Sequence, residues 1–354
     1  MVVLGPYAST CEKSPGGLSH LKVILACAAL ISTAHAEPNK HELLLQTFSM
    51  SVQDAAKLED QARAGNDELI ARYKLLHYYS RNQKYAEAGP HYLWLVENHP
   101  ASSLLDWIML DIEELPSANR ERAIELWEKH IANESANVNI MENAAWAFQS
   151  INPPRAIELL EKAAKLDPKN PEWHQQLGRL YFCEAREGDS INATEAKRSF
   201  AAYEQALALS KPADRFNILE NAANAALVAG ELDKARQHAN ELLDRAVEAP
   251  PGWNYGNAVH HGNLILGHLA LRDGRIEEAE EFLLRAGKTP GSPQLNSFGP
   301  NMRLALELLQ KGRRDRVVEY FRLCQGFWNR PELGAWIKTV ESGGIPDFGA
   351  NLDY

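Results

Sequence analysis

The chain has 354 residues, 45% of them hydrophobic and 24% charged, the balance of a folded protein with enough apolar side chains to bury a core along its length. Its formal net charge of -10 argues against a general nucleic-acid binder, because attraction to phosphates needs a basic surface. The one basic run, Lys311, Arg313, Arg314 and Arg316, lies between predicted helices and reads as a solvated face.

In chain order, residues 1–36 read as an export signal. Lys22 precedes the apolar run Val23 to Ile31, which is too short to span a membrane and leads to Ala34-His35-Ala36, an A-x-A cleavage pattern. Cleavage there leaves Glu37 as the new N-terminus. Residues 1–17 fit neither a charged leader nor a folded element, which places the true start nearer Leu18. Ile24-Leu25-Ala26-Cys27 also has the shape of a lipoprotein signal, less well matched because the apolar run continues past Cys27. The expectation is an exported protein, periplasmic or secreted, with no integral membrane segment after cleavage. Cys183 and Cys324 remain, too few for a disulfide framework, and each sits on an apolar helical stripe where a small buried hydrophobe is expected. The triplets Asn133-Glu134-Ser135 and Asn192-Ala193-Thr194 matter only if the source glycosylates them.

Residues 37–68 are expected to cap the fold at its N-terminal end, with one helix over 41–64 carrying Leu43, Leu44, Phe48, Val52, Ala55, Ala56 and Leu58 on its apolar side. From 69 to 325 a unit of two short helices and a turn recurs, clearest at 260–293. There Leu264, Leu266, Gly267 and Ala270 mark a first helix, Asp273-Gly274 breaks it, and Ile276, Ala279, Leu283 and Ala286 mark a second. Earlier units begin near Leu69, Leu104, Asn137 and Pro171, the last two 34 residues apart. Trp173, Leu177, Gly178 and Tyr181 stand in the fourth unit, and Ala156, Leu160, Ala163 and Pro168 close the third. Later units begin near Phe216, His260 and Phe298, so the intervals lengthen to 45, 44 and 38 residues.

This pattern resembles the tetratricopeptide (TPR) repeat, with small residues at fixed places in each helix and a breaker between them. The resemblance implies an all-α solenoid of helical hairpins, a TPR-like superhelix of about seven units with capping helices at both ends. Proteins of this kind present partners rather than perform chemistry. TPR families hold a peptide carboxylate with Lys, Arg and Asn side chains; Arg72, Lys74, Asn143 and Arg179 lie on first helices here, but they do not form the full clamp set.

The added residues fall at 184–195, inside the fourth unit, and at 244–259 and 287–300, between units. Insertions at equivalent points of a stacked array project from one edge, so the last two are expected to be neighbours. Both mix turn formers with aromatic and amide side chains: Trp253, Asn254, Tyr255, Asn257, His260 and His261 on one side, Gln294, Asn296, Phe298 and Asn301 on the other. Such residues suit a protein partner or a polar small ligand, since rings bury area at little entropic cost and amides both donate and accept. The plainer alternative is that the rings of Trp253, Tyr255 and Phe298 fill gaps between units.

Catalytic and metal patterns are missing from the sequence. His261 and His268 are two helical turns apart rather than at the i, i+4 spacing of H-E-x-x-H, and no G-x-S-x-G elbow, phosphate-cradling loop or C-x-x-C pair is present. A structural or hydrogen-bonding role is expected for these histidines, with no cofactor and no metal. Residues 326–354 read as a C-terminal cap, built on Phe327, Trp328, Leu333, Trp336, Ile337 and Val340, followed by a tail docked on the surface. From Gly287 onward the chain is similar to the ending of a group of exported bacterial TPR proteins, a resemblance that implies no activity. The leading expectation is a non-catalytic, exported scaffold that binds a protein or peptide. A glycan- or small-ligand-binding module using the segments 244–261 and 287–301 is the alternative, and an enzyme of unknown class stands behind it.

Overall fold

The computed structural model describes residues 40–65, 68–106, 108, 110–186, 190–248 and 253–352; the expected export signal at 1–36 lies outside them. Every regular element among the described residues is helical, as the repeat pattern requires. They divide into two compact units, one ending at Trp173 and the other beginning at His174.

The first unit holds α1 (Lys40–Phe48), α2 (Val52–Ala64), α3 (Glu68–Arg81), α4 (Tyr85–Asn98), α5 (Ser117–Asn133), α6 (Val138–Phe148) and α7 (Pro153–Leu166). The single helix expected over 41–64 is in fact two. Ser51 interrupts it by starting α2: its hydroxyl accepts from Asp54 N at 3.2 Å while the Asp54 carboxylate accepts from Ser51 N at 3.0 Å. This reciprocal capping satisfies amides that would otherwise be orphaned at the helix start.

The unit expected to begin near Leu104 lacks its first helix. Between α4 and α5 the only regular element among the described residues is a 3-10 turn at Ile112–Glu114. Buried Ile108, Leu110 and Ile112 alternate at the spacing of extended chain, and Pro100 and Pro116 bracket the segment. Asn143 of α6 holds this stretch by donating to Pro100 O at 2.9 Å and Ser102 O at 3.0 Å, and Arg72 pairs with Glu68 at 2.7 Å while lying 4.7 Å over the Trp94 ring. Two of the residues considered for a carboxylate clamp are therefore engaged within the fold.

The second unit begins inside α8 (Pro171–Arg186) and continues through α9 (Ala193–Leu209), α10 (Phe216–Ala229), α11 (Leu232–Glu248), α12 (Trp253–Arg272), α13 (Ile276–Gly287), α14 (Pro293–Phe298), α15 (Arg303–Gln310), α16 (Arg314–Cys324) and α17 (Pro331–Glu341). The expected insertion at 184–195 is shorter than its sequence suggests. Helix α8 runs to Arg186, and Asn192 caps α9 by accepting from Thr194 N and Glu195 N. The seventh first helix starts at Arg303 rather than near Phe298, which ends α14.

One turn geometry recurs at the hairpins. Gln83, Gly230, Gly274 and Gly312 all have positive φ. Behind each, the next amide reaches back to a carbonyl five residues earlier: Lys84 to Tyr79 at 2.9 Å, Glu231 to Ala226 at 2.9 Å, Arg275 to Ala270 at 2.8 Å and Arg313 to Leu308 at 3.0 Å. This Schellman closure satisfies the last carbonyls of the first helix and turns the chain into the second. Three of the four sites carry glycine, which has no Cβ to oppose the left-handed conformation. The repetition ties successive turns 38 to 147 residues apart in sequence to one helical-hairpin design.

The C-terminal cap seals the last hairpin. Phe321 and Tyr320 (both 0% exposed), Trp328, Trp336 and Phe348 share one core with Leu283 of α13 and Leu308 of α15. The tail is docked: Trp336 Nε1 donates to Asp347 O at 3.1 Å, Asn351 Nδ2 donates to Phe298 O and Pro300 O, and Met302 N donates to Asn351 O at 2.8 Å. The basic run before it is engaged too, with Arg313 on Glu280 and Glu277, Arg316 on Glu319, and Arg314 donating to Gly344 O. Cys324 is fully buried as expected, Cys183 is only half-buried, and neither is in a disulfide.

Candidate functional site

The segment 244–259, expected as a loop, is mostly helix. Helix α11 continues to Glu248 and α12 begins at Trp253, so Asn254, Tyr255, Asn257, His260 and His261 lie on the first turns of a 20-residue helix. Asparagine and glycine are weak helix formers, but the packing of this turn against α10 outweighs propensities of under about 1 kcal/mol per residue. Residues 249–252 and the Trp253 side chain lie outside the described parts. The second expected loop also contains a short helix, α14, started by Pro293 and capped by the Ser292 hydroxyl, which accepts from Leu295 N at 3.0 Å.

The two segments are neighbours, as insertions at equivalent points should be. Thr289 Oγ1 donates to Gly256 O at 2.8 Å, and Ser292 Oγ donates to Asn257 Oδ1 at 2.5 Å. The Asn257 amide nitrogen donates to Gln294 Oε1. Gly256 permits this approach, because a Cβ there would stand 1.8 Å from Gly291 O, a backbone atom with no room to yield. Gly256→Ala should therefore destabilise the second unit by about 1–3 kcal/mol through overpacking, read as a lower urea midpoint; an unchanged midpoint would contradict the close approach.

His260 is the strut of this junction. It is completely buried, Nδ1 lies 3.1 Å from Ala286 O, and Nε2 accepts from Asn301 N at 3.2 Å. A carbonyl can only accept and an amide N–H can only donate, so these partners dictate a neutral ring protonated at Nδ1. Burial accordingly pushes its pKa down to about 3, helped by the adjacent His261. Tyr320 OH donates to Asn301 O at 2.9 Å, which holds the other side of the same peptide stretch.

The candidate residues thus separate into two groups. Asn257, His260, Gln294 and Asn301 are joined in the junction, Tyr255 packs against the core of Phe182, Leu207 and Leu219, and Phe298 is half-buried with its carbonyl accepting from Asn351. Asn296 is exposed, and with its amide nitrogen turned inward it donates to Ser292 O and Phe327 O. Asn254 and His261 instead face α10. Asn254 Nδ2 donates to Asn217 Oδ1 at 2.5 Å, and His261 Nε2 lies 3.6 Å from Glu220 Oε1.

These two contacts expose a stripe that the sequence reading passed over. Asn217, Glu220, Asn221 and Asn224 recur at i, i+3, i+4 and i+7 on α10, a helix whose other residues are all apolar. That spacing places them on one side of the helix. All four are half-buried, and among the described residues neither Asn221 nor Asn224 makes a side-chain hydrogen bond. Burial pushes the Glu220 carboxyl up to about 7 and the His261 imidazole down to about 4. The signal was available in FNILENAANAAL, where every polar residue shares one helical side. Farther along α12, His268 Nδ1 lies 3.2 Å from Glu307 of α15.

Among the described residues no group of three or more His, Cys, Asp or Glu side chains is arranged to hold a metal ion. No family model matches the chain. No curated protein matches it either. Among solved structures it is similar to yeast Tom70, with 14% identity and a TM-score of 0.45 over 91% of this chain and 68% of that one.

Proposed function

We propose that the protein is a non-catalytic binding scaffold that holds an extended peptide segment of a partner protein along the polar stripe of α10 and α12. The observation that carries this reading is the pair Asn221 and Asn224, half-buried amides one turn apart with no hydrogen-bond partner among the described residues. A side-chain amide both donates and accepts, as each peptide unit of an extended ligand does, so two in a row match the ligand's backbone rather than its sequence. Helical hairpins supply a rigid base for such contacts, which lowers the entropic cost of binding.

A glycan or small-ligand module built from the inter-unit segments has less support. Asn257 is already engaged at both ends, donating to Gln294 Oε1 and accepting from Ser292 Oγ, and Tyr255 packs against the core. An enzymatic role lacks support for a parallel reason, since His260 spends both ring nitrogens on the backbone. The reading of the chain as exported, in the periplasm or outside the cell, rests on the run Val23 to Ile31 with Ala34-His35-Ala36 and on the likeness from Gly287 onward to exported bacterial TPR proteins. Among the described residues no helix is long and apolar enough to cross a membrane.

The test is the double variant Asn221→Ala/Asn224→Ala against an array of short unstructured peptides. Removing two amides that make no side-chain hydrogen bond among the described residues should leave the urea midpoint nearly unchanged, while the loss of about 1 kcal/mol per ligand hydrogen bond weakens the captured peptides about 10-fold or more. Equal capture by parent and variant would overturn the reading.

A further inference from the structure

Several carboxylates of the second unit that are taken partly or wholly out of water are matched with Arg or Lys, while Glu307 meets His268 at 3.2 Å. Glu241 pairs with Arg215 and Arg245, Glu204 with Lys234 and His238, and Glu280 with Arg313. Glu220 differs from all of these in that no neighbouring cation lowers its pKa, which burial raises. Its side chain is 21% exposed, and no Lys or Arg among the described residues pairs with it. Among the described residues the one titratable group within ion-pair distance of it is His261 of α12, at 3.6 Å and 10% side-chain exposure. Its other neighbours on the stripe are uncharged amides: Asn217 one turn before it, bonded to Asn254 of α12, and Asn221 and Asn224 beside and after it.

A carboxylate taken partly out of water without a counter-ion is costly, and folded proteins rarely keep one unless something compensates it. We propose that Glu220 is the anionic end of an ammonium-binding site on the peptide-binding stripe, taking a protonated primary amine whose remaining N–H groups donate to the oxygens of Asn221 and Asn224. This inference rests on the stripe being the ligand surface and names the chemistry the ligand must carry there. An ammonium has three donors and no acceptor, which suits one carboxylate flanked by amide oxygens. The raised pKa of Glu220 is the expected state of the empty site, because it reflects a carboxyl whose charge no neighbour offsets.

Two sources of the amine are possible chemically, a free alkylamine or a lysine side chain within a peptide, and calorimetric titrations at pH 8 separate them. The probes are n-butylammonium, acetyl-Gly-Lys-Gly-amide and the neutral acetyl-Gly-norleucine-Gly-amide, each with the parent protein, Glu220→Gln and Glu220→Asp. Saturable binding of at least one ammonium probe is expected, about 10-fold or more weaker in Glu220→Gln, retained in part by Glu220→Asp and absent for the norleucine peptide. Binding of both ammonium probes indicates an amine site, and binding of the lysine peptide alone indicates a lysine-bearing segment. The inference is overturned if neither ammonium probe binds, or if Glu220→Gln binds them as the parent does. It also falls if the norleucine peptide binds as tightly as the lysine peptide; sensitivity of that binding to Asn221→Ala/Asn224→Ala would then preserve the peptide-binding reading alone. Circular dichroism confirms that each variant is folded.

Discussion

Replacing Phe321 with alanine is expected to destabilise the second unit by about 3–5 kcal/mol, the range for truncating a fully buried aromatic side chain. Phe321 is 0% exposed, and its ring centroid lies 6.2 Å from Tyr320, 6.0 Å from Trp336 and 5.9 Å from Phe348. It thus joins α16 to the closing helix α17 and to the docked tail in one contact set. The cavity left by the ring cannot be filled locally, because Trp336 is itself held by its bond to Asp347 O. Urea unfolding should show a much lower midpoint, and protease should reach the chain beyond Trp328 sooner than in the parent. A loss below about 1 kcal/mol would mean that the cap is not integral to the last hairpin.

The second large effect is a pH dependence with two opposing parts. His260 and His261 are held neutral, with pKa values of about 3 and 4 against an ordinary 6.5. The unfolded chain takes up those protons first, so the stability they supply is present above pH 6.5 and is lost as pH falls through 4 and 3. Glu220 acts the other way: raised from 4.5 to about 7, it supplies stability that is fully present below pH 4.5 and is lost as pH rises through 7. At 1.36 kcal/mol per unit, acidification to pH 5 costs about 2 kcal/mol for each histidine and returns about 2–3 kcal/mol from Glu220. These three groups together should therefore cost the parent only about 1–2 kcal/mol between pH 7.5 and pH 5, and Glu220→Gln, lacking the offset, should lose about 2–3 kcal/mol more than the parent over that range. Urea midpoints of both proteins at the two pH values measure the difference. Parallel losses in parent and variant would show that Glu220 titrates as an ordinary surface carboxylate.

The hairpin design was readable because it is written in local chemistry. Asp273-Gly274 and Gly312 mark left-handed turns, and Ala279 and Ala286, both 0% exposed, leave room for the helix pair. The tail's docking followed from its Gly, Pro and aromatic content, and the adjacency of the two inter-unit segments from the equivalence of their positions. The start of α12 was hidden, because Pro250-Pro251-Gly252 and the Asn-Tyr-Gly-Asn that follow are turn formers by propensity. Only the packing of Tyr255 and Ala258 into the core beside α10 decides otherwise. The missing first helix near Leu104 was hidden for the opposite reason: a repeat period predicts a helix even where Ile108, Leu110 and Ile112 alternate.

The aromatic and amide residues singled out in the sequence were a composite of two different jobs. Asn257, His260 and Asn301 knit a junction, and their chemistry is consumed there. His261 and Asn254 belong to a stripe whose other half sits on α10, in a helix that offered no ring or turn former to draw attention. Which amides have partners depends on contacts between residues 37 to 41 positions apart, as in Asn217–Asn254 and Glu220–His261, and periodicity within one helix does not reveal them.

The most direct test of this division is to measure stability and peptide capture together for Asn221→Ala/Asn224→Ala and for Gly256→Ala at a temperature where both remain folded. The stripe variant should keep the parent's urea midpoint and lose capture, while Gly256→Ala should have a lower midpoint and capture peptides as the parent does. The reverse pattern, with capture lost through the junction and kept without the stripe, would contradict the account.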